Sequence, residues 1–288
     1  MAQVQWFPGH MAKARREISE RMKWVDMVIE LVDARAPYSS KNPMIDDIAK
    51  NKPRLIVLTK SDMADAKKTK EWIQYYQSLG YSAMSVNLKQ FKEYQRIINE
   101  CRMILKDKIA KEKARGMNER PVRAMVLGIP NVGKSTFINS LASKKVAVTG
   151  NKPGVTKSQQ LIRVAKDFEL FDTPGVLWPK FEDERVARNI AFLGSIKQTI
   201  LPLDDLFIEA MKYMNVHYPE LLQARYDLSF DLNDDWILPT FDHIAKVRAI
   251  KKLKGETDYD RVIEVFFNDV FDGSIGQITW EDIQCVKG

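Results

Sequence analysis

Cysteine is nearly missing: Cys101 and Cys285 are the only two in 288 residues. They lie far apart and match no metal-ligand spacing, so they read as reduced thiols, and a disulfide-stapled secreted scaffold is excluded. No apolar run approaches the length of a bilayer span. Residues 1–11 carry neither the basic region nor the apolar stretch of a secretion signal, and the chain is expected in the cytoplasm, with no membrane partner. Internal repeats and low-complexity tracts are missing too. Acidic side chains are scarce only in one part: residues 1–200 hold 21 against 36 basic ones, whereas 201–288 hold 17 against 9. Behind the net charge of +7 stand two modules of opposite sign, the first able to face a polyanion; a merely solvated surface is the other reading. With 45% hydrophobic residues the chain can bury a substantial core.

Apolar periodicity divides the chain. Ala14, Ile18 and Met22 recur at helical spacing, so 12–25 reads as a helix with Lys13, Arg15, Arg16 and Arg21 between them. Apolar runs then follow at Met27–Val32, Leu55–Leu58, Ala83–Val86, Ala124–Leu127 and Phe168–Phe171, with the composition of strands buried on both faces. Charged helical stretches at 67–79 and 91–115 lie between them, the second closed by Gly116. Such alternation predicts an α/β fold, a mostly parallel sheet with helices on both faces. From Asp204 only helical patterns remain, at 206–214, 242–254 and 259–270. The expected domains are 1–180 (α/β), 181–203 (a helical connection) and 204–288 (a small all-α module).

Gly128-Ile-Pro-Asn-Val-Gly133-Lys134-Ser135 fits G-x-x-x-x-G-K-S, directly after an apolar run and before helical sequence from Thr136 to Ala142. Strand, glycine loop and helix N-terminus together bind phosphate oxygens through backbone N–H groups. Lys134 supplies a charge to the outer phosphates, and the Ser135 hydroxyl can ligate Mg²⁺. Asn131, Val132, Gly133, Lys134, Ser135 and Thr136 are therefore expected to line a nucleotide. Downstream, Asp172-Thr-Pro-Gly175 places an acid to hold the Mg²⁺ shell and a Gly175 N–H to sense a γ-phosphate. Thr156, on a glycine-containing stretch between them, offers a further Mg²⁺ ligand when a γ-phosphate is present.

Thr59-Lys60-Ser61-Asp62 ends another apolar run as T-K-x-D. A buried Asp62 carboxylate would accept two hydrogen bonds from guanine and be left unpaired by adenine, which selects GTP/GDP. The Lys60 stem can lie on the purine face, and Ser85-Val86-Asn87 can present N–H groups to guanine O6. A plain helix N-cap at Asp62 is the structural alternative. These guanine-reading pieces precede the phosphate loop instead of following D-x-x-G. The order is that of a P-loop GTPase fold, circularly permuted, which surface chain ends allow. In that order the segment after Gly175 leads into the helical module, so hydrolysis can be relayed to it.

Trp6-Phe-Pro-Gly-His10-Met11, Val32-Asp-Ala-Arg-Ala-Pro37 and Asp172-Thr-Pro-Gly175, in this order, resemble ribosome biogenesis GTPase A, the YlqF-type permuted GTPases, over the whole chain. The resemblance implies a late role in assembling the large ribosomal subunit, with rRNA and ribosomal proteins as partners, GTP hydrolysis stimulated by that subunit, and RNA contact by the helical domain. It implies binding in the GTP state and release on hydrolysis, by a monomer. Val176 stands where Ras-like proteins carry a water-orienting glutamine, and valine cannot hydrogen-bond water. The family gives that catalytic role to the histidine matching His10, beside Lys134 and Thr156; otherwise His10 is solvated next to packed Trp6 and Phe7. Asn131 matches the asparagine that similar GTPases use to hold K⁺ near the phosphates.

Both modules are expected to touch RNA, with most phosphate contacts from the GTPase part, including Lys13, Arg15, Arg16 and the Lys106–Arg123 stretch. The helical module offers one basic stripe, Lys246, Arg248, Lys251, Lys252 and Lys254, opposite an expected buried side of Ile244, Val247, Ile250 and Leu253. Two rival functions stand beside this one: another P-loop enzyme acting on adenine nucleotides, and a nucleotide-gated rRNA scaffold in which turnover is incidental.

Overall fold

The computed structural model describes the chain except residues 1–7, 91, 118–119, 143–159, 174, 179–180, 197–200, 230, 232–234, 251–254 and 287–288. Among the described residues the strands are β1 (Met27–Asp33), β2 (Arg54–Thr59), β3 (Ser82–Ser85), β4 (Val122–Gly128), β5 (Gln160–Ala165) and β6 (Phe168–Asp172). They form one sheet in the order β3-β2-β1-β4-β6-β5, parallel throughout except for β5 against β6. All seven residues of β1 and all six of β2 are buried, as expected of central strands covered on both faces. The polar members of these strands are paired inside: Arg54 Nη1 donates to Glu30 Oε2 at 3.0 Å and also reaches Asp46.

From β1 the chain builds outward through β2 and β3, then crosses back to β4 on the other side of β1. The sheet therefore changes direction between β1 and β4, and ligands of such sheets bind beyond the strand C-termini at that point. The registers Asp33↔Thr59, Leu58↔Ser85 and Leu31↔Gly128 bring those C-termini to one edge.

The helices are α1 (Pro8–Met22), α2 (Pro37–Ser40), α3 (Pro43–Ile48), α4 (Ala66–Ser78), α5 (Lys92–Ile104), α6 (Lys106–Ala114), α7 (Lys134–Leu141), α8 (Glu184–Phe192), α9 (Leu203–His217), α10 (Pro219–Tyr226), α11 (Ile237–Val247) and α12 (Tyr259–Asp272). The elements differ from expectation at three places. The single helix at 91–115 is two, broken at Leu105, which is 1% exposed and turns into the core. The helical connection expected at 181–203 contains α8, whose Ile190, Ala191 and Phe192 are buried. The chain between the fourth and fifth expected strands adds β5, an edge strand that sequence reading missed. It alternates exposed Leu161 with buried Ile162 and so lacks a continuous apolar run. Finally, α11 stops at Val247 because Ala249 is left-handed (φ 51°), and Val247 is exposed rather than buried. The helix expected to carry the basic stripe thus ends within it, holding Lys246 with Arg248 at its cap; Lys251, Lys252 and Lys254 lie outside the described residues, as does Leu253.

One apolar core joins sheet and helices, running from Met27 and Val126 to Phe207, Phe267 and Trp280. Phe192 stands at its junction, with ring centroids 4.5 Å from Trp280 and 6.4 Å from Phe267. The segment beyond α12 returns to the α/β part: Ile278 N donates to Met63 O at 3.0 Å and Trp280 N to Arg35 O at 2.6 Å. None of the helices among the described residues is long and apolar enough to cross a membrane.

Candidate functional site

The phosphate loop is shaped by positions where a Cβ is costly or excluded. A Cβ on Gly128 would stand 2.7 Å from Leu31 O, so the strand can leave the sheet here only as glycine. Gly133, the residue before α7, is left-handed (φ 100°) and supplies no side-chain cap. The first N–H groups of α7 therefore have no capping side chain and suit an anion. Lys134 is 7% exposed, and its Nζ donates back to Gly128 O (3.1 Å) and Ile129 O (2.8 Å). Burial draws its ammonium down to about 8, against the pull of Asp172. A phosphate replacing those two carbonyls would return the charge that burial penalises.

Asp172 ends β6 fully buried, and neither carboxylate oxygen has a hydrogen-bond partner among the described residues. Burial pushes its carboxyl up to about 6, although Lys134 works in the opposite direction. An unpaired buried carboxylate beside a phosphate loop is an unmet demand for a cation. Hard oxygen ligands and a triphosphate are what Mg²⁺ takes, so Asp172 and Ser135 fit that ion. Next to it Thr173 Oγ1 donates to Val126 O at 2.6 Å. Gly175 lies against the loop so closely that a Cβ would be 2.8 Å from Pro130 Cα and 2.9 Å from Lys134 Nζ. Val176 is buried, with its N–H on Gly128 O (3.3 Å) and its carbonyl held by Asn42 Nδ2 (2.8 Å).

The T-K-x-D segment meets the same loop from the side of β2. Thr59 Oγ1 lies 2.7 Å from Val132 O, and Leu88, just past Asn87, would be 3.6 Å from a Cβ on Gly133. Lys60 is left-handed (φ 55°), and its Nζ sits 2.9 Å from Asp33 Oδ2. Asp33, fully buried, is gripped by Arg35 through Nε (2.9 Å) and Nη2 (2.8 Å). Burial works against its charge, but Arg35 and Lys60 hold its carboxyl well below the usual carboxylate range. Asp62 is half-buried rather than buried, with Lys89 Nζ at 2.8 Å from its Oδ2. It is not the cap of α4: that cap is Asp65, which accepts from Lys67 N and Lys68 N. Of the expected base donors, the Val86 N–H is committed to Leu58 O (2.9 Å). Asn87 Oδ1 accepts from Lys89 N (2.9 Å), closing the turn that carries Leu88. Ser61 N reaches Val86 O at 3.4 Å, so segments 59–62 and 85–88 are stitched together.

The structure thus brings Thr59, Lys60, Val132, Gly133, Lys134, Asp172 and Gly175 to one edge of the sheet. Asn131 is left-handed (φ 60°), and its Nδ2 donates to Gly194 O at 2.5 Å. Ser135 and Thr136 stand in the first turn of α7. Thr156 lies outside the described residues; His10 falls in the first turn of α1, and its side chain lies outside them too. Sequence reading gave no role to Asp33 and Arg35, although the D-A-R-A-P run was visible, and it missed Gly194 and Ser195 altogether. Both pairs act through contacts between segments remote in the chain, for which local pattern carries no signal.

A glycine loop between strand and helix, a buried lysine on it and an orphaned acid on the neighbouring strand define a P-loop nucleotide-binding protein. Its T-K-x-D segment precedes the phosphate loop in the chain, and the fold is a circularly permuted P-loop GTPase with an all-α C-terminal part. The family model described as "50S ribosome-binding GTPase" matches residues 123–224. Ribosome biogenesis GTPase A of Bacillus cereus is 49% identical over 96% of this chain and 93% of its own length. The protein of that name from Priestia megaterium is 46% identical over 97% and 96%. A GNP-bound YlqF structure from T. maritima superposes with a TM-score of 0.65 at 24% identity, covering 94% of this chain and 98% of that one; this likeness supports the fold. The chain belongs to the ribosome biogenesis GTPase A family.

Proposed function

We propose that this protein hydrolyses GTP as an assembly factor for the large ribosomal subunit, binding the maturing particle in its GTP state and leaving after hydrolysis. The observation that carries the reading is the unpaired Asp172 carboxylate, buried beside Lys134 at the phosphate loop. Asp172 and Ser135, joined by Thr156, would hold Mg²⁺, which supplies charge neutralisation at the outer phosphates. The Lys134 ammonium leaves its two loop carbonyls to donate to the β- and γ-phosphates, and the Gly175 N–H senses the γ-phosphate. Thr59, Lys60, Ser61 and Asp62, with Ser85, Val86 and Asn87, form the guanine end; Asp62 must release Lys89 to accept from the base. The Val176 side chain cannot orient water, and His10 is proposed for that role, with K⁺ at Asn131 adding charge near the phosphates. In this reading residues 1–180 form the nucleotide domain, 181–203 the connection and 204–288 the RNA-contacting module of a cytoplasmic monomer.

The test is GTP turnover with and without large subunits, in K⁺ and in Na⁺, with ATP as competitor. Stimulation by the subunit, preference for K⁺ and failure of ATP to compete are expected. A His10→Ala variant is expected to bind GTP normally and lose the stimulated rate. The buried Val176, with no polar group to offer water, favours one second reading, a nucleotide-gated rRNA scaffold; GTP-dependent subunit binding without stimulated turnover in the unaltered protein would support that reading, and undiminished stimulation in His10→Ala would remove His10 from the water-orienting role.

A further inference from the structure

Both ends of the nucleotide site are tied to the same turn of one C-terminal helix. At the phosphate end, the turn after α8 closes on the apex of the loop. Ser195 Oγ donates to Pro130 O at 2.8 Å, and Asn131 Nδ2 donates to Gly194 O at 2.5 Å. Ser195 is 1% exposed. Gly194 is left-handed (φ 67°), and a Cβ on it would stand 3.3 Å from the ring of Phe271. The turn is therefore enclosed between phosphate loop and α12. At the base end, Lys60 is held by Asp33, Asp33 by Arg35, and Arg35 Nη1 donates to Val270 O at 3.1 Å. Val270 and Phe271 are neighbours in the last turn of α12.

The left-handed conformation of Asn131 is costly for a residue with a Cβ and persists where its surroundings hold it. Here the carbonyl before it and its own amide are both held from the α8 turn, so the aim of the loop N–H groups depends on where that turn sits. Lys60, also left-handed, depends in the same way on the buried Asp33–Arg35 pair. We propose that Ser195 and Arg35 are positioning residues for the nucleotide, holding the phosphate loop and Lys60 against the last turn of α12. Filling the site then stiffens α12, and α12 docking tightens the nucleotide, since coupling between sites is reciprocal. This inference rests on the guanine-nucleotide reading above.

The experiment uses the full chain with Mg²⁺, a fluorescent GDP titration, pyrophosphate competition, and hydrogen exchange of the amides of 262–272 with and without GDP. In the unaltered protein GDP is expected to slow exchange there about fivefold or more. Ser195→Ala removes one oxygen and no packing. It is expected to roughly halve that slowing and to weaken GDP and pyrophosphate alike by about fivefold, with nucleotide-free exchange unchanged. Phe271→Leu, at a partly exposed ring, is expected to reduce the slowing from the α12 side. Arg35→Lys keeps the charge beside Asp33 but loses the fork, and is expected to weaken GDP more than pyrophosphate. A merely structural Ser195 would alter nucleotide-free exchange and leave the GDP-induced difference intact; that result overturns the proposal. So does GDP binding that leaves α12 unchanged, or equal losses of GDP and pyrophosphate in Arg35→Lys. A chain that binds no guanine nucleotide at all brings down the reading beneath it instead.

Discussion

Asp172 shows a conflict between stability and function inside a single side chain. Its buried carboxylate has no hydrogen-bond partner among the described residues, and burial raises its pKa to about 6. Asp172→Asn is therefore expected to stabilise the nucleotide-free protein by about 1–2 kcal/mol. The same change is expected to weaken Mg²⁺-dependent GTP binding at least about tenfold. Urea unfolding without nucleotide and GTP titration with Mg²⁺ check the two halves; a destabilised variant would show that the acid is satisfied in solution. Gly128 tests the loop from the steric side. Gly128→Ala drives a Cβ to 2.7 Å from Leu31 O at a φ of 158°, and a loss of about 2–4 kcal/mol of stability is expected by thermal unfolding.

Glu281 joins elements that are far apart in the chain. Its carboxylate is met by the N–H groups of Tyr38 and Ser39 in α2, by Ser39 Oγ (2.6 Å) and by Asn189 Nδ2 of α8 (3.1 Å). It thereby clasps the returning C-terminal segment to the α/β part and to α8. Burial nevertheless pushes its carboxyl up to about 7 from 4.5. Between those values the native state holds a proton that the unfolded chain has released, so stability falls as pH rises through the window. Glu281→Gln is expected to flatten that fall, by at most about 3 kcal/mol between pH 5 and pH 7.5. Urea midpoints of both proteins at the two pH values decide it, and parallel lines would refute the assignment. Of these elements, α4, α9 and α12 were legible from apolar spacing. The four-residue α2 was not, and α8 was foreseen only as a helical connection somewhere in 181–203. Their burial depends on partners, Glu281 and Trp280, supplied some ninety residues or more downstream.

The charge polarity of the molecule survives folding only in part. The Lys106–Arg123 stretch was expected to face RNA as a block, yet Lys108 and Arg120 are bound to Asp26, and Arg123 Nε lies 3.0 Å from Glu169. Lys106, Lys111 and Arg115 remain on the exposed surface of α6, which buries no residue, and at its C-terminus. Under the proposed function, neutralising these three is expected to lower the salt slope of binding to the large subunit by about 2–3. Neutralising Lys108 and Arg120 should instead cost stability, because Asp26 then stays buried with the Arg123 N–H but without these two cations. Binding measured from low to moderate salt distinguishes the two sets, and an unchanged slope for the first would remove α6 from the interface.

The chemistry of the site was written locally. G-x-x-x-x-G-K-S, T-K-x-D and D-x-x-G are contiguous patterns whose residue types follow from what phosphate, purine and Mg²⁺ demand, and their order along the chain already revealed the permutation. Apolar runs likewise announced the parallel strands, since a strand buried on both faces must be apolar at nearly every position. Which groups restrain those patterns was decided by tertiary structure alone. Lys60 on Asp33, Asn131 on Gly194, Ser195 on Pro130 and Glu281 on α2 are hydrogen bonds between segments that meet only once the sheet has formed, and their partners obey no sequence period.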